Sequence, residues 1–472
     1  MSEHAMIPEN ADIQKGYTTG TAVDAEALAQ ETALLKQINA RPGFFGRWKG
    51  YLTFLGPGFL LSAVALGSGT AGSSIASGLD YGYKLLWVHP VGTILGIIMF
   101  ISMGKQVLVT NARPYDTIWK RLHPGLALFW AFNVILASTV WQFPQYSLGT
   151  AVLKDMLSVI GFVSADTANT TGFTLANILC GLSLLVPGIY MCWRYATGER
   201  SNIMWFESTL KYIVWFMVFA FLAVVIKTGV NFGELFKGYF GFYIPTTKDG
   251  LDIVMAGLAA AIGVNMTLLY PYSLMARGWG KDHLGLKNAD LIFSMGVPSI
   301  IATGLIVIVV ANSMHGNPEY TTQTISAATI GAKALGPLLG DFLGRMVFNL
   351  GVYAMALSSI TIIALMAGMA ACEMFHIPLQ STKFKVVTLG TSIGFFGAFY
   401  SMPFWLPIVT SSANIVMMPL AYICFFLLAN RKDFMGSFVN QGFKGWLLNI
   451  GMLIAVLVMV LGAAIKIINT FF

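Results

Sequence analysis

The chain has 472 residues and 51.2 kDa, is 56% hydrophobic and only 10% charged, and has a mean hydropathy of +0.71. Soluble proteins carry about 25% charged residues. Apolar runs of about 18 or more residues mark membrane-spanning helices, and roughly eleven of them occur here. A soluble enzyme, a nucleic-acid reader and a disordered scaffold are excluded, as is a β-barrel, because the runs are continuous and do not alternate. The net charge of +7 and pI near 9.1 therefore report membrane topology, with the lipid bilayer as partner and no nucleic acid.

In chain order, residues 1–50 are polar and mixed in charge, without a signal-peptide pattern, and Asp24 to Ile38 reads as a short surface helix. They form the expected cytosolic tail. Spans are expected at 52–78, 85–108, 125–150, 172–192, 203–227, 251–275, 288–312, 341–371, 386–402, 404–430 and 446–468. With the N-terminus inside, about 17 Lys/Arg fall near cytosolic ends, from Arg41, Arg47 and Lys49 to Arg431, Lys432 and Lys444, against about seven outside. The expectation is a cytoplasmic-membrane protein, N-in and C-out, with Phe472 outside. It is one transmembrane unit over residues 51–472: a repeat over about 51–228, a second over about 250–430, and an extra helix over about 446–468. Cys180, Cys192, Cys372 and Cys424 lack CxxC spacing and read as packing residues.

Two spans carry sequence that a straight helix avoids. The first reads Gly56-Pro57-Gly58-Phe59, then Gly67-Ser68-Gly69-Thr70-Ala71-Gly72-Ser73-Ser74. The sixth reads Gly263-Val264-Asn265-Met266-Thr267, then Tyr270-Pro271-Tyr272-Ser273. Gly costs about 1 kcal/mol and Pro about 3 kcal/mol in a helix interior, and non-helical backbone at membrane depth survives only where protein or a wet cavity satisfies it. Close helix packing explains one small-residue span equally well. Paired interruptions five spans apart are instead the mark of an inverted-repeat transporter with its site at the two breaks.

At these breaks the sequence resembles the Nramp family of divalent-metal transporters, which have the LeuT fold. Residues 55–88 (LGPGFLLSAVALGSGTAGSSIASGLDYGYKLLWV) look like that family's first span and following loop. Residues 356–375 (ALSSITIIALMAGMAACEMF) look like its eighth span, and residues 405–436 (WLPIVTSSANIVMMPLAYICFFLLANRKDFMG) are similar to its tenth. The resemblance implies an all-α polytopic membrane protein: a LeuT-like 5+5 inverted repeat plus an eleventh transmembrane helix, with spans 1 and 6 broken.

The departures fall on the chemistry. Nramp transporters carry Asp-Pro-Gly-Asn at the first break, where Asp and Asn ligate the metal; here the register reads Gly67-Ser68-Gly69-Thr70. Their sixth span carries Met-Pro-His, and alignment through Leu269, Tyr270 and Ser273 puts Asn265, Met266 and Thr267 there, while a one-residue shift matches Met266 to the ligand Met. Acidic residues of their third span are replaced by Trp141-Gln142-Phe143-Pro144-Gln145. A bare divalent ion needs charged or strongly polar ligands to replace its hydration, and no metal site of the usual type remains.

The substrate is expected to meet Gly67, Ser68, Gly69, Thr70, Asn265, Met266 and Thr267, then Gln142, Gln145, Ser411, Ser412 and Asn414. Such neutral ligands suit a partly hydrated cation such as Mg²⁺, which sheds water reluctantly. Free N–H groups at the Gly67-Ser68-Gly69 break, with the helix macrodipole, suit instead the carboxylate of a small zwitterion. Ser358 and Ser359 sit where relatives by fold bind Na⁺, so a coupling ion is a candidate partner there. Glu207 and Lys211 have i,i+4 spacing and read as a local ion pair, and Asp341, Arg345 and Glu373 as solvated or paired. No mid-span His, HxxE pattern or nucleophile–base pair points to an enzyme, and no cofactor is expected. The expected function is a secondary transporter working by alternating access, with the dehydrated Mn/Fe site and the proton-relay carboxylates lost, for a small polar or zwitterionic solute or a partly hydrated cation. Two alternatives stay open: a Mn²⁺/Mg²⁺ transporter using neutral ligands, and a receptor-like binding protein that does not transport.

Overall fold

The computed structural model describes residues 25–164, 166, 170–320, 322, 340–400 and 405–471. Among these, every regular element is helical. Among the described residues nine helices are long and apolar enough to cross a membrane, and the pair Pro57–Ala65 and Ser68–Tyr81, bent by 52°, makes a tenth when taken as one broken span. The tail helix occupies Ala25–Asn39, as the sequence suggests, and a short helix, Phe44–Tyr51, leads into span 1. The rest of the expected tail, residues 1–24, lies outside the described residues.

Spans 2 to 5 are Val88–Thr110, Pro124–Val159, Leu175–Ala196 and Arg200–Thr228. Span 6 runs Lys248–Ala261 and Met266–Ala276, with Ile262 to Asn265 outside both helices. Span 7 follows at Lys281–Met314 and span 8 at Asp341–Phe375. Leu406–Asn414, a 3-10 turn Ile415–Met417 and Met418–Ala429 make span 10, and Gly442–Phe471 makes span 11. The ninth departs from expectation. It is α-helical only over Thr382–Thr391 and then 3-10 over Ser392–Phe399, because it is pressed onto the backbone of span 3. A Cβ at Gly394 would lie 2.2 Å from that of Gln142, and one at Gly397 would lie 2.1 Å from the Phe143 carbonyl oxygen.

Charges gather at one end of the bundle, where the tail helix docks. Asp290 of span 7 accepts hydrogen bonds from the backbone N–H of Gly56 (2.9 Å) and Gly58 (2.6 Å), anchoring the start of span 1. Arg113 meets Glu373 at 3.2 Å there, while at the opposite end Asp155 pairs with Arg345 and accepts from Asn349 at 2.6 Å. Glu31 of the tail helix is buried, paired with Arg200 and accepting from Trp279 Nε1 at 3.0 Å. The local Glu207–Lys211 pair expected from spacing is not formed. Lys211 lies 5.8 Å over the Phe59 ring, and Glu207 faces Arg277 across spans 5 and 6, with Nε and Oε2 3.2 Å apart but not aligned as a hydrogen bond. Spacing along one helix does not reveal a partner on another.

Both members of that pair are buried. Removing one leaves a desolvated charge, so Arg277→Met should destabilise the protein by about 3–5 kcal/mol. The double variant Glu207→Gln/Arg277→Met should lose much less, since no buried charge is stranded. Melting curves of the purified variants in one detergent test this, and equal losses would contradict it.

Candidate functional site

The two breaks are closed by side chains. In span 1, Leu66 ends the first half, its N–H still bonded to the Ser62 carbonyl at 2.8 Å. Gly67 is extended (φ −100°, ψ −171°), and the second half begins at Ser68. The Ser68 N–H is donated to Gln145 Oε1 of span 3 at 3.0 Å, and the Thr70 hydroxyl donates back across the gap to the Ala65 carbonyl. In span 6 the Gly263 N–H points to the Met266 sulfur at 3.2 Å. The Thr267 hydroxyl donates to the Val264 carbonyl at 2.5 Å and accepts from Trp130 Nε1 at 2.9 Å.

Spans 3, 8 and 10 close around these points. A Cβ at Gly67 would lie 2.7 Å from both Gln145 Nε2 and Ser359 Oγ. One at Gly69 would lie 2.0 Å from Ser411 Oγ and 3.7 Å from the Ala260 Cβ. One at Gly263 would meet the Trp141 ring at 3.4 Å and Asn265 Oδ1 at 2.5 Å. At Gly69 the second half of span 1 runs against Ser411, so a side chain there requires the Ser411 hydroxyl to move. Every expected site residue is buried.

These residues fall into two groups. Ser68, through its N–H, Thr70, Met266 and Thr267 satisfy the breaks. Ser412 donates to the Val409 carbonyl at 3.0 Å. Ser358 and Ser359 both donate to the Ala63 carbonyl, at 3.3 and 3.0 Å, tying span 8 to the first half of span 1. By contrast, both polar atoms of Gln142, Asn265 and Asn414, and the Ser411 hydroxyl, are buried with no hydrogen-bond partner. A buried polar group left unpaired costs about 1–3 kcal/mol, and these four residues carry that cost here. Among the described residues, no group of three or more His, Cys, Asp or Glu is arranged to hold a metal ion.

Sequence reasoning missed two partners. His89, taken as a span-end residue, is 2% exposed, with Nε2 3.2 Å from Ser73 Oγ and 3.0 Å from Ser74 Oγ. Trp130 holds the sixth break from span 3. Neither lies at a helical spacing from its partner, so no local pattern flags them. On the side of the breaks away from the tail helix, a cavity of about 700 Å³ is lined by Asp80, Asp249, Asp252, Thr322, Trp405, Ile408 and Val409. Asp252 in it is paired with Lys466 at 2.8 Å.

The Gly69 contact makes a test that needs no substrate. Gly69→Ala should destabilise the protein by about 1–3 kcal/mol through overpacking, and Gly69→Ala/Ser411→Gly should recover most of the loss. Thermal unfolding of both would show it, and an unchanged Gly69→Ala protein would place Ser411 elsewhere.

Comparison with known proteins agrees with this architecture. The family model described as natural resistance-associated macrophage protein-like (Nramp) matches residues 58–468. The divalent metal cation transporter MntH of Caldanaerobacter subterraneus subsp. tengcongensis is 24% identical over 434 residues, covering 88% of this chain and 92% of the relative. The crystal structure of the Eremococcus coleocola manganese transporter, in complex with an aromatic bis-isothiourea substituted compound, superposes with a TM-score of 0.65 at 14% identity, covering 91% of this chain and 90% of the other. MhsT in complex with L-phenylalanine superposes at 0.55 and 14% identity, covering 86% and 98%. The fold is the LeuT fold, and the chain belongs to the Nramp family of multi-pass membrane transporters.

Proposed function

We propose that this protein is a secondary transporter, N-in and C-out, that works by alternating access about spans 1 and 6 and carries a partly hydrated divalent cation. The observation that supports it is the set of four buried, unpaired neutral residues on spans 3, 6 and 10, Gln142, Asn265, Ser411 and Asn414, with no cluster of three or more His, Cys, Asp or Glu among the described residues. Amide and hydroxyl oxygens accept hydrogen bonds from the water that a magnesium-like ion keeps. They compensate poorly for the full dehydration that a bare Mn²⁺ or Fe²⁺ undergoes. The acidic outer cavity raises the local concentration of cations. The MntH relative is named for divalent metal cations, and the present reading keeps that class while changing how the ion is held.

A second reading, a small zwitterionic or polar solute, draws on the same amides, which offer donors as well as acceptors. Its carboxylate would need the N–H groups at the first break, and that of Ser68 is already held by Gln145. The cation is therefore favoured. At Ser358 and Ser359, a coupling Na⁺ would have to share the Ala63 carbonyl that both hydroxyls now occupy.

Uptake into proteoliposomes separates these readings. Mg²⁺ uptake should exceed that of Mn²⁺, and Asn265→Ala should lower it about tenfold, the loss of a hydrogen bond to a charged group. Mn²⁺ flux without Mg²⁺ flux would show that neutral ligands hold a dehydrated ion. Amino-acid flux without either metal would establish the zwitterion. No flux of any of them, with binding retained, would leave a receptor.

A further inference from the structure

A second polar cavity lies at the end of the bundle that carries the lysine and arginine excess. It measures about 300 Å³ and sits between the end of span 2, the start of span 7 and the loop leading into span 11. Its polar lining is Lys105, Lys287, Asn288, Asn440, Gln441 and Lys444, with no carboxylate. Lys287 is 1% exposed, and its Nζ donates to the Ile101 carbonyl at 2.8 Å and to Asn288 Oδ1 at 2.6 Å. Lys105 donates to Asn440 Oδ1 at 2.9 Å. None of the three lysines is in an ion pair among the described residues.

A buried ammonium held only by neutral oxygens keeps most of its desolvation cost, and an opposite charge offsets it. Here the walls supply none, and an anion in the cavity would. The surroundings say which kind. Phe443 and Trp446, 76% and 60% exposed, flank Lys444 and stack at 6.3 Å, and the Lys281 ammonium lies 5.5 Å over the Phe438 ring. Exposed aromatic rings beside lysines mark the membrane–water boundary, the level at which lipid phosphates lie. We propose that this cavity binds the phosphate of an anionic phospholipid, held between Lys105, Lys287 and Lys444. The site is separate from the breaks and does not depend on what the transporter carries.

Native mass spectrometry of the full-length protein, with phosphatidylglycerol or phosphatidylcholine added to the detergent, reads this directly. Phosphatidylglycerol adducts should persist at about tenfold or more lower lipid concentration than phosphatidylcholine adducts, because the lysines favour the lipid with net negative charge. That preference should disappear in Lys287→Met and in Lys105→Gln/Lys444→Gln. The double variant changes side chains that are not fully buried, and so stays readable if Lys287→Met does not fold. Equal retention of the two lipids by the unaltered protein, or an undiminished preference in the double variant, overturns the proposal. Inorganic phosphate forms the other arm: if it displaces phosphatidylglycerol at an equal concentration, and the double variant abolishes its effect, the phosphate site stands and lipid is overturned as its source.

Discussion

Inside a bilayer an interrupted helix has no water to satisfy its freed N–H and C=O groups, so the protein must do so itself. In this molecule that demand is met by particular side chains. Thr70 reaches back to the Ala65 carbonyl, Gln145 takes the Ser68 N–H, and Ser358 and Ser359 take the Ala63 carbonyl. At the sixth span Met266 and Thr267 do the same work from within the helix, with Trp130 holding Thr267 from outside. Spans 3 and 8 are thereby fastened to both sides of the first break. Any change in the angle of span 1 at Gly67 exchanges these hydrogen bonds, which makes the break a joint with a defined set of partners.

The same accounting separates site from scaffold. A hydroxyl or amide already bonded to backbone has little left to offer a substrate, because taking it away exposes a buried carbonyl. The polar residues around the breaks are thus not equivalent. Thr70, Thr267 and Ser412 hold structure, while Gln142, Asn265, Asn414 and Ser411 stand unpaired in the interior. Asn414 sits where span 10 passes from α-helix into a 3-10 turn, so a third helix contributes irregular backbone beside the two breaks.

Much of the architecture was legible in the sequence. Composition and the eleven apolar runs gave a helical membrane protein, and the clusters Gly67 to Ser74 and Gly263 to Thr267 placed the breaks to within a few residues. The ninth span was less legible, because its 3-10 geometry follows from contact with the backbone of span 3 and not from its own pattern. The residue types of the site could be named in advance; their division into spent and unspent groups could not. That division depends on which carbonyl each hydroxyl faces, as with Thr70 and Ala65 across the gap. His89 and Arg277 show the same limit. Each meets its partners from a different helix, where sequence spacing carries no information.

The two ends of the pathway are built differently. Towards the tail helix, the start of span 1 is gripped by Asp290, the Glu207–Arg277 pair lies beside it, and Arg277 also reaches the Phe54 carbonyl at 3.4 Å. Opening this end means separating buried charges, and each separation is costly unless water enters at once. Towards the other end the walls are small residues and a cavity that reaches Ile408, one helical turn from Ser411. Even a Cβ added at Gly72 would meet Pro407 and Ile408 there only at ordinary van der Waals distances, 3.4 and 3.5 Å. Apolar contacts of this kind part without stranding a charge. The contacts between Gly72 and span 10 are therefore apolar, while those around the start of span 1 are ionic. That difference makes the tail-side end, with the tail helix that Glu31 fastens onto it, the one tied by buried charges around the start of span 1.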